Sequence, residues 1–155
     1  MAGATIRKLT LNDLASHKRI IDGVGLFPSA MLDDMVEPYL SGASEEIWLT
    51  AEQGGVIGLA YAAPERMTDG TWNLLLIAVD PARHGDGAGT ALMREAERLL
   101  TDNRVRVLLV ETTGLPEFER TRRFYDYIGY EREAVIRDFY AQGEDKVVFR
   151  KALTA

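Results

Sequence analysis

The chain has 155 residues, 46% hydrophobic and 27% charged, which is the mixture of a folded protein that buries a core. Its formal net charge of -6 disfavours sequence-independent binding to nucleic acid, because a phosphate backbone carries the same sign. The absence of cysteine excludes disulfides, thiolate metal ligands and a cysteine nucleophile, and is consistent with a reducing compartment. We expect one domain spanning residues 1–155.

The hydrophobic residues give no sign of a membrane segment. The longest uninterrupted apolar run covers residues 74–79, far too short to cross a bilayer. The first residues contain no apolar signal core. We therefore expect a cytoplasmic protein without a membrane partner.

The first part of the chain predicts two helices and three strands. Residues 5–9 alternate as a strand, and polar capping residues then open a helix over about residues 11–21, with His17 on its outer face. Ser29 can cap a second helix. Residues 47–62 alternate on both sides of a double-glycine turn, which predicts a hairpin.

The middle of the chain predicts a buried strand followed by an amphipathic helix. Residues 72–79 are almost all apolar, which is typical of a strand covered on both faces and therefore central in its sheet. The helix runs from Ala88 to about Asn103. Its apolar stripe consists of Leu92, Met93, Ala96, Leu99 and Leu100.

The last part predicts a strand, a helix and a closing hairpin. Residues 104–111 form the strand, and Pro116 opens a helix that Gly129 ends. Residues 130–138 and 146–152 can pair as the hairpin. One face of the helix would carry Phe118, Thr121, Tyr125 and Ile128.

Three alternating glycines, Gly85, Gly87 and Gly89, join the central strand to the third helix. Glycine leaves the main chain uncovered, so successive amide protons at the positive end of a helix can point at phosphate oxygens. A P-loop would need a lysine after the last glycine, and a dinucleotide site would need GxGxxG spacing in place of GxGxG. The structural alternative is a turn that lets the helix pack closely.

Two motifs resemble those of the GCN5-related N-acetyltransferase (GNAT) family. IAVDPARHGDGAG followed by TALM is similar to the family's coenzyme A pyrophosphate motif, and FYDYIGY at residues 124–130 is similar to its later motif. Both occur in the family's order. The resemblance implies a mixed α/β fold, with a mostly antiparallel sheet of about seven strands, about four flanking helices and a splay between strands four and five.

The resemblance also implies the residues that bind acetyl-coenzyme A. His84 stands where the family has glutamine or arginine, and Asp86 stands where it often has a basic residue, so we expect Asp86 to point outward. A neutral His84 can still donate one hydrogen bond to phosphate. No metal is expected. The full set is the main chain of Ile77, Ala78 and Val79, the loop residues His84, Gly85, Asp86, Gly87, Ala88, Gly89 and Thr90, and Phe124.

The chemistry implied is direct transfer of an acetyl group to an amine in a ternary complex. Tyr125 matches the position of the family's general acid, although spacing alone also fits a packed aromatic residue. Asn73 lies near where many relatives carry a glutamate base, and an amide cannot accept a proton at neutral pH. Glu111 is our preferred base, with water relayed through main-chain carbonyls as the alternative.

The acceptor is a small-molecule amine or a protein or peptide amine, which the sequence does not identify. Residues 24–35 and 137–144 would frame its pocket. Two other functions stay open, a coenzyme A sensor without turnover and a transferase of longer acyl groups, and the chain would act as a monomer or homodimer. Acidic residues that could attract a cationic amine, or form a hydrated face, are Asp33, Asp34, Glu37, Glu45 and Glu46.

Overall fold

A computed structural model describes residues 3–153, which form a mixed sheet with helices on both faces. The strands are β1 (Thr5–Lys8), β2 (Ile47–Glu52), β3 (Val56–Pro64), β4 (Thr71–Val79), β5 (Val107–Thr113), β6 (Glu131–Ala141) and β7 (Glu144–Ala152). The helices are α1 (Leu14–Val24), α2 (Leu32–Leu40), α3 (Ala88–Asp102) and α4 (Glu119–Tyr127). No helix within residues 3–153 combines the length and apolar character needed to cross a lipid bilayer.

The strands follow the order β1-β2-β3-β4-β5-β7-β6. Strands β4 and β5 are parallel, and the other neighbouring pairs are antiparallel. β4 is therefore central, as its apolar run predicted. The predicted fold class is confirmed.

Strands β4 and β5 separate halfway along their length. Their ladder ends at the pair Leu74 and Val110. Beyond it β4 continues to Val79 along β3, and β5 continues to Thr113 along β7. The result is a gap in the middle of the sheet, open at the carboxyl ends of both strands.

A β-bulge at Leu75 lies beside the start of this gap. The register between β3 and β4 shifts there, and Leu75 is 52% exposed. Because Leu75 is an extra residue, the side chains that follow it point to the opposite face from the one that an unbroken alternation would give. Leu74 faces the core formed with α3, whereas Leu76 and Ala78 face the core formed with α1 and α2.

The helices cover opposite faces and bury separate cores. On α3 the predicted stripe is confirmed, with Leu92, Met93, Ala96 and Leu100 buried. On α4 the predicted face is wrong at one end, because Phe118 and Thr121 are exposed. Residues 116–118 form a 3-10 turn, which changes the phase of the side chains before α4 begins.

Arg122 of α4 is buried, although the predicted apolar face of this helix did not include it. Its guanidinium donates to the carbonyl oxygens of Thr113 at 2.8 Å and of Leu115 at 2.9 Å. These bonds satisfy two carbonyls at the end of β5. Arg122 therefore holds the start of α4 against the strand that borders the gap.

The prediction that His17 lies on the outer face of the first helix is wrong. Its side chain is 0% exposed, and Nε2 lies 2.9 Å from Oγ1 of Thr50 on β2. Thr50 in turn donates to Asp13, which forms an ion pair with Arg7. Burial lowers the pKa of His17 to about 4. A polar residue with an internal partner occupies a core position that hydrophobic periodicity does not reveal.

Candidate active site

The loop between β4 and α3 begins with a short 3-10 turn. The Asp80 carboxylate accepts a hydrogen bond from the Ala82 amide at 3.0 Å and fixes the entry to this turn. Gly85 then has φ of 90° and Gly87 has φ of 84°. Side chains disfavour this left-handed conformation, so the loop depends on glycine at both positions.

Several main-chain amides at the end of this loop and the start of α3 are free to bind an anion. Within the described residues, no acceptor lies on the amides of Gly85 or of residues 87–90, whereas the Asp86 amide bonds to the Arg83 carbonyl. These amides surround the amino end of α3, where the helix dipole is positive. The loop therefore fits a diphosphate.

His84 and Asp86 are both engaged within the loop. The Nε2 of His84 lies 2.9 Å from the Val79 carbonyl oxygen. Asp86 lies at the surface, where its carboxylate is 3.3 Å from Arg83. Its negative charge therefore has a cationic partner beside the free amides.

Residues 77–79 of β4 form one edge of the gap. They pair with β3, in the register Ile77 with Ala60 and Val79 with Gly58, and have no ladder partner on β5. The groups of an antiparallel strand that do not bond one neighbour point towards the other side. This edge can therefore bind an extended ligand as an added strand would.

Phe124 and Tyr125 bring α4 beside the glycine loop. A Cβ placed on Gly89 would lie 3.5 Å from Cζ of Phe124. Tyr125 is 3% exposed, with its ring 5.3 Å from those of Phe124 and Phe149. Burial raises the pKa of Tyr125 above its usual range, and its hydroxyl has no bonding partner within residues 3–153.

Glu111 lies on β5 beside the gap, on the opposite face from Tyr125. Its neighbour Val110 faces the core that contains Tyr125, so Glu111 points to the other side. Its Oε1 is 3.0 Å from Nζ of Lys146. That ammonium also lies 3.8 Å from the centre of the Phe139 ring. The structure therefore places the two predicted catalytic residues on either side of the sheet.

Asn73 is a polar residue inside the central strand. It is 3% exposed, and its Nδ2 donates to Oε1 of Glu65 at 3.0 Å. Its Oδ1 is buried and has no hydrogen-bond partner among the residues described. The sequence showed Asn73 only as a departure from the family pattern; the pairing with Glu65 needed the hairpin geometry.

Two of the acidic residues near the expected acceptor pocket have partners. Asp33 is 2.7 Å from Nζ of Lys18. Glu46 accepts a hydrogen bond from the Trp48 indole at 3.4 Å, and burial together with Glu46 raises the pKa of Tyr61 to about 12.

No group of three or more metal-binding side chains is found in the described part of the chain.

A family model described as Acetyltransferase (GNAT) domain matches residues 43–132, more than half of the chain. No curated protein gives a significant match. A solved protein assigned to the GNAT acetyltransferases, from Desulfovibrio desulfuricans, is 29% identical over 97% of this chain and 99% of its own, with a TM-score of 0.89.

More distant structures share the fold alone. The ribosomal-protein-S18-alanine N-acetyltransferase from Escherichia coli is 21% identical, with a TM-score of 0.77 over 98% of this chain and 95% of its own. An aminoglycoside 6'-N-acetyltransferase complexed with coenzyme A is 16% identical, with a TM-score of 0.79 over 96% of this chain and 97% of its own. The family model decides the assignment that the two motifs predicted. The chain belongs to the GNAT acetyltransferase family.

Proposed function

We propose that residues 1–155 form one domain that transfers an acetyl group from acetyl-coenzyme A to a primary amine, by direct attack with both substrates bound. Acetyl-coenzyme A supplies the acyl group already activated as a thioester. The observation that carries the proposal is the row of free amides at the amino end of α3, next to the gap between β4 and β5.

The glycine loop binds the coenzyme diphosphate in this proposal. The amides of Gly85 and of residues 87–90 donate to phosphate oxygens, and the α3 dipole favours their negative charge. His84 and Thr90 border the same cradle, and Phe124 closes it from α4. The Asp86 carboxylate keeps its ion pair with Arg83, and this pairing limits the repulsion between Asp86 and the phosphates.

The pantetheine arm lies along the free edge of β4. Ile77, Ala78 and Val79 have no ladder partner on β5, and an extended amide chain can bond to such an edge. This path leads from the loop into the middle of the sheet. The thioester would thus reach the level at which the β4 and β5 ladder ends.

Tyr125 is the general acid in this proposal. Departure of a thiolate, with a free pKa of about 8.5, is faster when an acid protonates the sulfur. Burial raises the pKa of Tyr125, so the phenol holds its proton at neutral pH. Its ring is held by Phe124 and Phe149, and its hydroxyl has no competing acceptor in residues 3–153.

Glu111 is the base. An alkylammonium must lose a proton before it attacks, because its nitrogen has no lone pair. Glu111 lies on the face of the sheet opposite Tyr125, so the amine would approach from that face. Lys146 occupies Oε1, which leaves Oε2 for the amine or for a water molecule. Glu111→Gln should therefore lower the rate most strongly at low pH, where less free amine is present.

The amine acceptor is a small molecule or a peptide. Two of the structural neighbours carry names that specify an aminoglycoside and a ribosomal-protein alanine, both of which offer amines. These proteins share the fold with this chain, and a shared fold does not determine the acceptor.

Calorimetry followed by a thiol assay tests the proposal. Coenzyme A and acetyl-coenzyme A should bind the purified protein saturably, and an amine and peptide panel should release free thiol from acetyl-coenzyme A. Binding without thiol release from any amine would favour a coenzyme sensor. Absence of binding would contradict the proposal altogether.

A further inference from the structure

Asn73 buries a carbonyl oxygen that nothing in the described chain satisfies. The residue is 3% exposed, and its Oδ1 has no partner within residues 3–153. A buried acceptor without a hydrogen bond destabilises the folded chain. In native proteins a bound ligand, an ion or a water molecule can supply such a missing bond.

The orientation of the amide is set by Glu65. Nδ2 of Asn73 donates to Oε1 of Glu65 at 3.0 Å, and the main-chain amide of Glu65 donates to the carbonyl of Thr71 at the start of β4. This bond fixes the amide with Nδ2 towards Glu65, so Oδ1 is the polar atom of the side chain that is left without a partner.

Asn73 lies beside the gap, on the face of the sheet from which the amine would approach. It is one residue before Leu74, whose pair with Val110 is the last of the β4 and β5 ladder. Leu74 and Val110 both face the core containing Tyr125, so Asn73 and Glu111 share the opposite face. Asn73 Oδ1 and the proposed base are thus placed on the same side of the sheet.

We propose that Asn73 Oδ1 accepts a hydrogen bond from the amino group of the acceptor and so positions the nucleophile. Of the two reacting groups, the thioester has no hydrogen to donate, whereas an amine or ammonium has two or three. The proposal rests on the proposed function. It makes Asn73 a positioning residue, because its amide cannot take the proton that Glu111 or water receives.

The first test is binding of n-butylamine to the coenzyme A complex, followed by NMR. The Asn73 side-chain amide resonances, assigned by their loss in Asn73→Leu, should shift as the amine is added. The Kd of n-butylamine, followed through β4 main-chain resonances, should rise about tenfold in Asn73→Leu, the cost of one such bond. No shift in the wild type, or an unchanged Kd in the variant, overturns the proposal.

A paired variant keeps an oxygen in the same place. The double variant Asn73→Asp with Glu65→Gln exchanges donor and acceptor between the two residues. The amide introduced at residue 65 now donates the hydrogen bond, and the carboxylate introduced at residue 73 accepts it with one oxygen and keeps the other. This double variant should restore n-butylamine binding to within about threefold of the wild type. Binding as weak as in Asn73→Leu would overturn the proposal.

Thermal unfolding separates positioning from a structural role. Asn73→Leu should lower Tm by less than Thr50→Val, because it loses one hydrogen bond, to Glu65, and at the same time removes a buried acceptor that lacks a partner. Thr50→Val is the matched control, since Thr50 is also buried but bonded to both His17 and Asp13, and its Tm should fall. An equal fall in both variants would overturn the inference. Failure of the wild type to bind coenzyme A would instead refute the proposed function.

Discussion

The Nε2 of His84 lies 2.9 Å from the carbonyl oxygen of Val79, and a carbonyl only accepts hydrogen bonds. Nε2 therefore carries a proton and donates this bond. The single bond that a neutral imidazole can donate is already used by β4. The sequence-based expectation that this bond reaches a phosphate thus competes with a contact inside the protein.

His84→Arg should tighten binding of coenzyme A about fivefold, or about 1 kcal/mol, because a guanidinium adds a permanent charge and has donors to spare. Calorimetry measures the Kd. Asn103→Arg, at the other end of α3, makes the same change in net charge and should leave the Kd unaltered. Equal effects from both variants would show that only net charge matters.

Gly87→Glu should abolish binding of coenzyme A while the fold persists. The new carboxylate enters the amide cradle, and the side chain is strained at φ of 84°. Gly42→Glu is the control, because Gly42 has a similar φ of 77° and open space around it, but follows α2 and lies outside the glycine loop. Circular dichroism should show a similar stability loss of about 1 kcal/mol in both variants. A wild-type Kd in Gly87→Glu would remove the loop from the coenzyme site.

Tyr125→Phe should lower kcat about 10²- to 10⁴-fold with little change in the Kd of acetyl-coenzyme A, because only a proton donor is lost. Its Tm should not fall, since no bond of the hydroxyl is broken within the described chain. Tyr130→Phe provides the contrast. It loses the 2.7 Å bond to Glu97, so its stability should drop by about 1–3 kcal/mol while it keeps most of its kcat. Unchanged turnover in Tyr125→Phe would exclude Tyr125 as the acid.

Stability should decrease as the pH falls from about 6.5 to 4, and His17 should account for up to about 3 kcal/mol of the loss. The pKa of His17 is about 4 in the folded protein, below the unfolded value of 6.5. The unfolded chain therefore binds the proton first and gains stability over this window. Arg7 holds the pKa of Asp13 below its usual range, so the Asp13 contribution is lost only at lower pH.

Denaturant unfolding at several pH values measures this effect in His17→Gln, whose amide can still donate to Thr50. The loss between pH 6.5 and 4 should shrink in that variant. His84→Gln, the same change at an exposed residue, should retain the wild-type profile. An unaltered profile in His17→Gln would show that His17 does not cause the loss.

Much of the fold and of the coenzyme site could be predicted from local pattern. Alternation and apolar runs identified the strands and helices, because these signals depend only on neighbours in sequence. GxGxG between a buried strand and an amphipathic helix indicated the anion loop for the same reason. The 3-10 turn at residues 116–118 was not predicted, and it moved Phe118 and Thr121 out of the core and Arg122 into it.

What the tertiary structure decided was the partner of each polar group. His17 bonds to Thr50, Asn73 bonds to Glu65, and Lys146 pairs with Glu111, in each case on a different segment of the chain. The bulge at Leu75 turns Asn73, Leu76 and Ala78 to one face, which no periodic pattern of β4 shows. Sequence periodicity reports whether a residue is buried on average. Which donor meets which acceptor depends on strand register and helix packing, and these arise only when distant segments fold together.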